Sequence, residues 1–380
     1  MTSEPQRLSV PQGDFQFLRY PRQAKDLLRA WDAADEYLLQ QLAEEQAPRP
    51  GQTLLILNDS FGALSVALAG HRPWMLSDSF LAHRGTLANL ADNQLPADSV
   101  RLLSSLQAPE GPIDLALIKV PKSLALLEDQ LFRLRPHLHS GSRVFGAGMV
   151  KAIHSSTLAL FERILGPTTT SLARKKARLI FCQPDLERDP GTTPYPDQFR
   201  LEASGDLISN HAGVFCREGL DIGTRFFLDQ IPASTQPRTI VDLGCGNGIL
   251  GLIAARRNPK ARLIFTDESF MAVASAETNF HAAFGAERDA DFLVTDALEG
   301  VPRGSVELIL NNPPFHQEHV VGDQTAWRMF RQAREALGRG GELLVVGNRH
   351  LDYHLKLRRL FGNCTFLDSN PKFVILKAVR

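Results

Sequence analysis

The sequence has few cysteines, no net charge and no long apolar run, and each shortage excludes a class of protein. None of the four cysteines among its 380 residues forms a CxxC pair. This argues against a disulfide framework or a zinc site and predicts reduced thiols in the cytoplasm. No apolar run could span a bilayer, and residues 1–16 lack a signal core, so we expect a cytoplasmic protein without membrane attachment. With a formal net charge of +0, any affinity for RNA must come from local basic patches.

Length and patterning predict two α/β domains. A chain of 380 residues can form two full hydrophobic cores. Both halves alternate short apolar runs with helical stretches, as βαβ units with a mostly parallel sheet do. The segment 184–197 is rich in proline and aspartate and indicates a linker. We therefore predict one domain over residues 1–190 and a second over residues 198–380.

The two halves repeat the same segments in the same order. When Gly62 is aligned with Gly248, similar segments follow at similar spacing in both halves. These segments are 75–80 with 264–270, and 115–122 with 307–314. The repetition predicts a duplicated domain.

The first copy lacks the residues that suggest chemistry in the second. Its loop has one glycine in place of three, and Ile56 stands where the second copy has Asp242. The run from Lys119 to Lys122 replaces the Asn-Asn-Pro-Pro run that begins at Asn311. We predict that the first domain is degenerate.

A glycine loop follows the strand-like run 239–241 and predicts a cofactor site. Gly244, Gly246 and Gly248 alternate, whereas a dinucleotide loop would need glycine at the position of Ile249. The loop also lacks the Lys-Ser/Thr pair of a P-loop. S-adenosylmethionine (SAM) carries no phosphate but needs close approach to the backbone, which glycine permits. The loop therefore favours SAM over a nucleotide phosphate.

Three aspartates lie at the predicted strand ends around this loop. Asp242 can orient the loop and interact with the cofactor's ammonium group, directly or through water. Asp267 follows Gly248 at the spacing of an acidic residue that accepts both ribose hydroxyls, a role that Glu268 could share. Asp296 could accept from the adenine amine or could simply cap a helix.

The order Asn312, Pro313, Pro314, Phe315 predicts a site for a planar amine. The Asn312 side-chain oxygen and the Pro313 carbonyl can accept the two N–H groups and direct the nitrogen lone pair at the methyl group. Consecutive prolines hold the backbone rigidly, and Phe315 offers a face for base stacking. This chemistry suits a guanine amine, an adenine amine and a glutamine amide alike. A proline turn with Asn311 as a strand cap is the simpler alternative.

The segments 210–215 and 219–223 resemble those that lie over the cofactor in the bacterial ribosomal RNA guanine-N2 methyltransferases, namely the type-C enzymes of the small subunit and the type-G enzymes of the large subunit. The resemblance covers nearly the whole chain. The stretches that resemble the type-G enzymes in particular are 31–39, 166–170, 175–180, 348–353 and 362–365. The resemblance implies two tandem Rossmann-like domains, a cofactor contact at Phe215, and SAM-dependent methylation of one guanine N2 in 23S large-subunit rRNA.

A dense basic cluster in the first half predicts an RNA contact. Its members are Arg174, Lys175, Lys176 and Arg178. Such a cluster can also be an ordinary solvated face. Because the first domain has lost the cofactor motif but keeps this segment, we expect the segment to bind rRNA phosphates. We also expect the protein to act as a monomer. An RNA-binding assembly protein without activity is the alternative, which the glycine loop and Asn312 disfavour.

Overall fold

In the computed structural model each half of the chain forms its own compact unit, Met1–Tyr195 and Pro196–Arg380. The structure describes residues 4–23, 26–202, 204–214, 219–236, 238–314 and 319–380, without the side chains of 319–323. In the first unit the strands are β1 (Gln6–Val10), β2 (Gly13–Phe17), β3 (Leu54–Leu57), β4 (Trp74–Ser77), β5 (Arg101–Ser104), β6 (Ile113–Lys119), β7 (Leu138–Met149), β8 (Thr168–Thr170) and β9 (Ala177–Cys182). Its helices are α1 (Ala33–Glu44), α2 (Ala63–Ala67), α3 (Phe80–Asp92), α4 (Leu124–Leu134) and α5 (Ser155–Ile164).

The second unit has the same sequence of elements. Its strands are β10 (Asp197–Arg200), β11 (Leu207–Asn210), β12 (Thr239–Leu243), β13 (Arg262–Asp267), β14 (Ala290–Val294), β15 (Val306–Asn311), β16 (Leu337–Asn348), β17 (Thr365–Ser369) and β18 (Phe373–Val379). Its helices are α6 (Ile222–Leu228), α7 (Ile249–Arg257), α8 (Phe270–Phe284), α9 (His319–Ala336) and α10 (Tyr353–Phe361).

Both units contain a seven-stranded mixed sheet, and the strand order is the same in the two sheets. The order is β5-β4-β3-β6-β7-β9-β8 in the first unit and β14-β13-β12-β15-β16-β18-β17 in the second. Five strands of each sheet are parallel, and β9 and β18 run antiparallel to their neighbours. The predicted α/β fold with two tandem Rossmann-like domains is confirmed. In each sheet the strand order reverses between the first and the fourth strand along the chain, which are β3 and β6 in the first unit and β12 and β15 in the second. Sheets of this kind bind ligands at such a reversal.

The duplication extends to individual contacts. Gly62 and Gly248 precede the first helix after the sheet's first strand with φ of 82° and 81°. A Cβ at Gly62 would meet Thr86 of α3, and a Cβ at Gly248 would meet Ala276, at the same turn of α8. The loops that contain Gly62 and Gly248 are therefore equivalent, as the repeated segments in the sequence predict.

At the end of the fourth strand, the strand register changes the match between the two halves by one residue. Leu57 pairs with Ile118 in the first sheet, and Leu243 pairs with Asn311 in the second. Lys119 therefore corresponds to Asn312, one residue later than the sequence comparison placed it. An apolar run such as 115–118 can slide by one residue against its repeat without a visible mismatch, so only the sheet decides the register.

Burial explains why the strand ends carry the polar residues. All four residues of β3 are buried, as are five of the six residues of β15, because parallel strands are covered on both faces. Polar side chains can then reach ligands only at the strand termini. The loop after β12, Asp267 at the end of β13, Asp296 just beyond β14 and Asn312 just beyond β15 lie at one edge of the sheet.

Candidate active site

The glycine loop turns the chain from β12 into α7 and leaves one side open. The N–H groups of Gly244 and Cys245 donate to the Thr266 carbonyl at 2.8 and 3.0 Å, which anchors the loop to β13. Gly244, Gly246 and Gly248 have φ of 71°, 53° and 81°, where a side chain is strained. A Cβ at Gly246 would meet nothing within 4 Å. The backbone there faces open space that a ligand could approach closely.

Gly248 is needed for packing rather than for access. A Cβ at this position would lie 2.8 Å from Ala276 Cβ and 3.0 Å from Ala276 Cα. Gly244 is also close to a neighbour, since its Cβ would lie 3.1 Å from Met329 Cε. Of the three glycines, Gly246 is therefore the one at which the absence of a side chain leaves room for a ligand.

Asp242 is fully buried beneath the loop and caps α7. The Gly251 N–H donates to its Oδ2 at 2.8 Å, replacing a cap that the N-terminal Gly248 cannot supply. Its Oδ1 has no hydrogen-bond partner among the described residues. Burial raises the pKa of Asp242 to about 8, and the charge of Asp267 adds to the increase. The side chain thus ties the end of β12 to α7, and a cation bound at Oδ1 would favour the ionised form, in which that oxygen is an acceptor.

Asp267 joins the loop to the start of α8. Its Oδ2 accepts from the Gly246 N–H and its Oδ1 accepts from the Ser269 N–H, both at 3.0 Å. Burial raises the pKa of Asp267 above its ordinary value, although these backbone hydrogen bonds oppose the increase. Each oxygen keeps a further lone pair, so the carboxylate can also accept from hydroxyl groups.

Asp296 has a protein partner that the sequence did not suggest. Arg328 of α9 lies with Nε 2.9 Å from Asp296 Oδ1, and the two side chains are only 15% and 10% exposed. The pair joins the end of β14 to α9. Arg328 thus turns inward, whereas Arg331 and Arg334 on the same helix are exposed.

Asn312 is held by two side chains of α6. Its Nδ2 donates to Thr224 Oγ1 at 2.8 Å, and Asp221 Oδ2 lies 3.4 Å away. Its Oδ1 is buried and has no hydrogen-bond partner among the described residues. Buried acceptors rarely stay unpaired in a folded protein. The oxygen is therefore available to an N–H group of a bound molecule.

The neighbours of Asn312 have separate roles or lie outside the description. Asn311 Nδ2 donates to the Leu243 carbonyl at 2.7 Å and ties β15 to β12 at the switch in strand order. Pro313 is buried and Pro314 is exposed. Phe315 and Phe215, both predicted site residues, lie outside the described residues.

Sequence reasoning did not single out Asp221 and Thr224, the two side chains that contact the Asn312 amide. Asp221 begins α6 and accepts from the N–H groups of Gly223 and Thr224 at 2.8 and 3.0 Å. An aspartate followed three residues later by a polar side chain is an N-cap signal in the sequence. That signal predicts a helix start, but it does not show that the cap reaches Asn312.

The basic cluster of the first unit is partly paired with acids. Its members are Arg174, Lys175, Lys176 and Arg178. Lys175 Nζ lies 2.7 Å from a Glu36 carboxylate oxygen. Arg174 lies 3.8 Å from Glu44 and stacks over the ring of Tyr37 at 4.9 Å. Lys176 is exposed and Arg178 is half-buried. The cluster is thus less positive than its sequence suggests.

Within the ranges that the structure describes, no helix combines the length and apolarity that crossing a bilayer requires. No group of three or more histidine, cysteine, aspartate or glutamate side chains in those ranges could hold a metal ion.

Comparison with known proteins covers both units. Residues 5–186 match the RLMG N-terminal domain, and residues 206–377 match the methyltransferase small domain. The solved structure of a 16S rRNA N2 methyltransferase of T. thermophilus, in complex with AdoMet and guanosine, aligns with a TM-score of 0.76 at 22% identity. It covers 99% of this chain and 98% of that one, which supports the tandem fold.

Curated relatives align over almost the full length. Proteins named ribosomal RNA large subunit methyltransferase G include one from Streptomyces griseus, 55% identical over 98% of this chain and 99% of the relative. Others are from Aeromonas salmonicida, 52% identical over 95% and 96%, and from Pseudomonas putida, 50% identical over 98% and 99%. These matches confirm the family that the sequence resembled and the prediction of a methyltransferase. The chain belongs to the ribosomal RNA large subunit methyltransferase G family.

Proposed function

We propose that this protein transfers a methyl group from SAM to the exocyclic N2 of a guanine in 23S large-subunit rRNA. The observation that carries the proposal is the buried Oδ1 of Asn312, which has no hydrogen-bond partner among the described residues and lies at the sheet edge that also holds the glycine loop. An acceptor without a partner suits an amine that brings its own N–H. The names of the relatives supply the rRNA and its subunit.

The residues around the loop fit SAM. The open side of Gly246 would admit the cofactor against the backbone, and Asp242 Oδ1 would accept from its ammonium group, directly or through water. Asp267 would accept from the ribose hydroxyls, and Asp296, paired with Arg328, would face the adenine amine. Phe215 would lie over the bound cofactor. When bound, SAM supplies an electrophilic methyl group on a sulfonium sulfur.

Asn312 would orient the attacking nitrogen. A guanine amine is a poor nucleophile because its lone pair is delocalised into the ring. Asn312 Oδ1 accepts one N–H and the Pro313 carbonyl accepts the other, which bends the nitrogen away from the ring plane. The N–C bond forms as the S–C bond breaks, and the methylated nitrogen then loses one proton to solvent. Catalysis rests on positioning rather than on a strong base.

Phe315 would stack on the flipped guanine. Stacking of a base on an aromatic ring contributes about 1–3 kcal/mol and tolerates any base. Selection of guanine over adenine must then come from hydrogen bonds to the base edge rather than from stacking.

The first unit would hold the rRNA. Exchange of the acid partners Glu36 and Glu44 for phosphate oxygens costs little, since an exposed ion pair contributes only about 0.2–1 kcal/mol. Lys176 is exposed and could contact phosphate directly. We further propose that residues 1–190 recognise RNA, that residues 198–380 carry the chemistry, and that the protein acts as a monomer in the cytoplasm.

Mass mapping of methylated RNA tests this function. Purified full-length protein and SAM are incubated separately with 23S and 16S rRNA from cells that lack the protein. We expect one N2-methylguanine in the 23S rRNA and none in the 16S rRNA. Methyl groups in 16S rRNA or on adenine N6 would contradict the proposal. In a parallel incubation with cell lysate, methylation of a protein glutamine alone would contradict it as well.

A further inference from the structure

We propose that Asp221 and Thr224 are positioning residues that fix the orientation of the Asn312 side-chain amide. This inference rests on the proposed function and deepens it, because it explains how the acceptor oxygen is kept available. An asparagine amide can turn by half a rotation and exchange its oxygen for its NH2 group at small steric cost. Only hydrogen-bond partners decide which end faces the substrate.

The hydrogen bonds around Asn312 form a one-way chain. The Asp221 carboxylate can only accept, and it already caps α6 through the N–H groups of Gly223 and Thr224. The Thr224 hydroxyl donates its single proton to Asp221 Oδ2, the oxygen that also accepts from the Thr224 N–H. Its oxygen is then left to accept from Asn312 Nδ2 at 2.8 Å. Each step allows one direction of donation.

The reversed amide is disfavoured. It would place the Asn312 oxygen 2.8 Å from a hydroxyl whose proton is committed elsewhere, and 3.4 Å from a carboxylate oxygen. Two acceptors at these distances repel each other. This orientation, in which no described residue donates to the buried Oδ1, therefore persists before any substrate binds. Preorganised polar groups favour a transition state in this way.

The first unit contains the same triangle with different chemistry. Asp32 caps α1 as Asp221 caps α6, and Asp35 is the third residue of α1 as Thr224 is of α6. Lys119 occupies the position of Asn312. Its Nζ lies 2.8 Å from Asp32 Oδ1 and 2.6 Å from Asp35 Oδ1.

The two triangles share their contacts but differ in the chemistry of the side chain at their centre. In both units a helix N-cap and the third helical residue bind the equivalent side chain at the C-terminal end of the fourth strand of the sheet. Lys119 has donors only, so it can accept nothing from an amine. Asn312 gives its donors to α6 and keeps an acceptor. The contact belongs to the shared fold, whereas the acceptor belongs to the catalytic unit alone.

Paired substitutions at Thr224 test the inference. Thr224→Val keeps the shape but removes the hydroxyl, and Thr224→Ser keeps the hydroxyl. We expect Thr224→Val to slow single-turnover methylation of 23S rRNA about tenfold, the effect of losing about 1.4 kcal/mol in the transition state. The dissociation constants for SAM and RNA should stay within about twofold of wild type, and Thr224→Ser should restore most of the rate.

A double-mutant cycle separates positioning from general packing. If Thr224 acts through Asn312, adding Thr224→Val to Asn312→Ala should slow the reaction by less than about twofold. The same tenfold loss in both backgrounds would overturn the proposal. Wild-type rates in Thr224→Val, or a slow Thr224→Ser enzyme with weakened SAM binding, would overturn it as well.

A readout that needs no activity keeps this test independent of the proposed function. In full-length protein labelled with 15N-asparagine, the Asn312 side-chain resonance is identified by its loss in Asn312→Ala. Thr224→Val should shift that resonance and speed exchange of its protons, whereas Thr224→Ser should do neither. Unchanged exchange in Thr224→Val would refute the positioning role. A wild-type protein that leaves 23S rRNA unmethylated would instead refute the proposed function.

Discussion

Alanine at Gly248 and alanine at Gly246 should damage the protein in different ways. At Gly248 the φ of 81° costs alanine about 1–2 kcal/mol. The new Cβ would also lie 2.8 Å from Ala276 Cβ and 3.0 Å from its backbone Cα, an overpacking that typically costs about 1–3 kcal/mol. We therefore expect Gly248→Ala to lose about 2–5 kcal/mol of stability.

At Gly246 the steric term is absent. The φ of 53° carries the same backbone cost, but the new Cβ meets nothing within 4 Å. We expect Gly246→Ala to lose only about 1–2 kcal/mol of stability. The methyl group would occupy the space through which SAM approaches the backbone, so SAM affinity should fall about tenfold or more, a loss of at least about 1.4 kcal/mol.

Scanning calorimetry and SAM titration of the full-length variants measure both effects. For a unit of this size each kcal/mol lowers the melting temperature by about 2–4 °C, so the two variants should be clearly resolved. Gly62→Ala, the equivalent change in the first unit, is the matched control: φ is 82° and the Cβ would lie 2.9 Å from Thr86 Cα. It should destabilise its unit without weakening SAM binding. Wild-type SAM affinity in Gly246→Ala would refute the assignment of the open space to the cofactor.

The remaining predictions concern the amine site, the RNA surface and Asp242. Asn312→Ala should slow single-turnover methylation by on the order of a hundredfold, with SAM and RNA affinities unchanged in titrations; a near wild-type rate would make Asn312 structural. Replacing Arg174, Lys175 and Lys176 with alanine should reduce the salt slope of RNA binding by about 1–2, measured by filter binding, because two of these cations already have acid partners. The raised pKa of Asp242 means that the folded state holds a proton that the unfolded state releases between about pH 4 and pH 8. Stability of the wild type should therefore fall as pH rises through that window, and Asp242→Asn should flatten the fall in urea unfolding; equal slopes would contradict the raised pKa.

Local patterns in the sequence determined the fold class and the position of the glycine loop. A strand, a turn and a helix are each specified by neighbouring residues, so the glycine loop at 244–248 and the acids Asp242 and Asp267 could be placed at strand ends without a structure. The duplication was visible for the same reason, since its repeated segments keep their order. The residue types in the Asn-Pro-Pro run also suggest an acceptor at Asn312 without reference to its surroundings.

Only the tertiary structure decided how the polar side chains pair. Thr224 and Asn312 are 88 residues apart, and no periodicity in the sequence connects them. Asp296 binds Arg328, and Lys175 lies beside Glu36, because packing of helices against the sheet or against each other brings them together. The match of Lys119 with Asn312 likewise needed the strand register. Hydrogen bonds and ion pairs require atoms of residues remote in the chain to be placed within a few tenths of an ångström of their optimal separation, and such placement exists only after the core has packed.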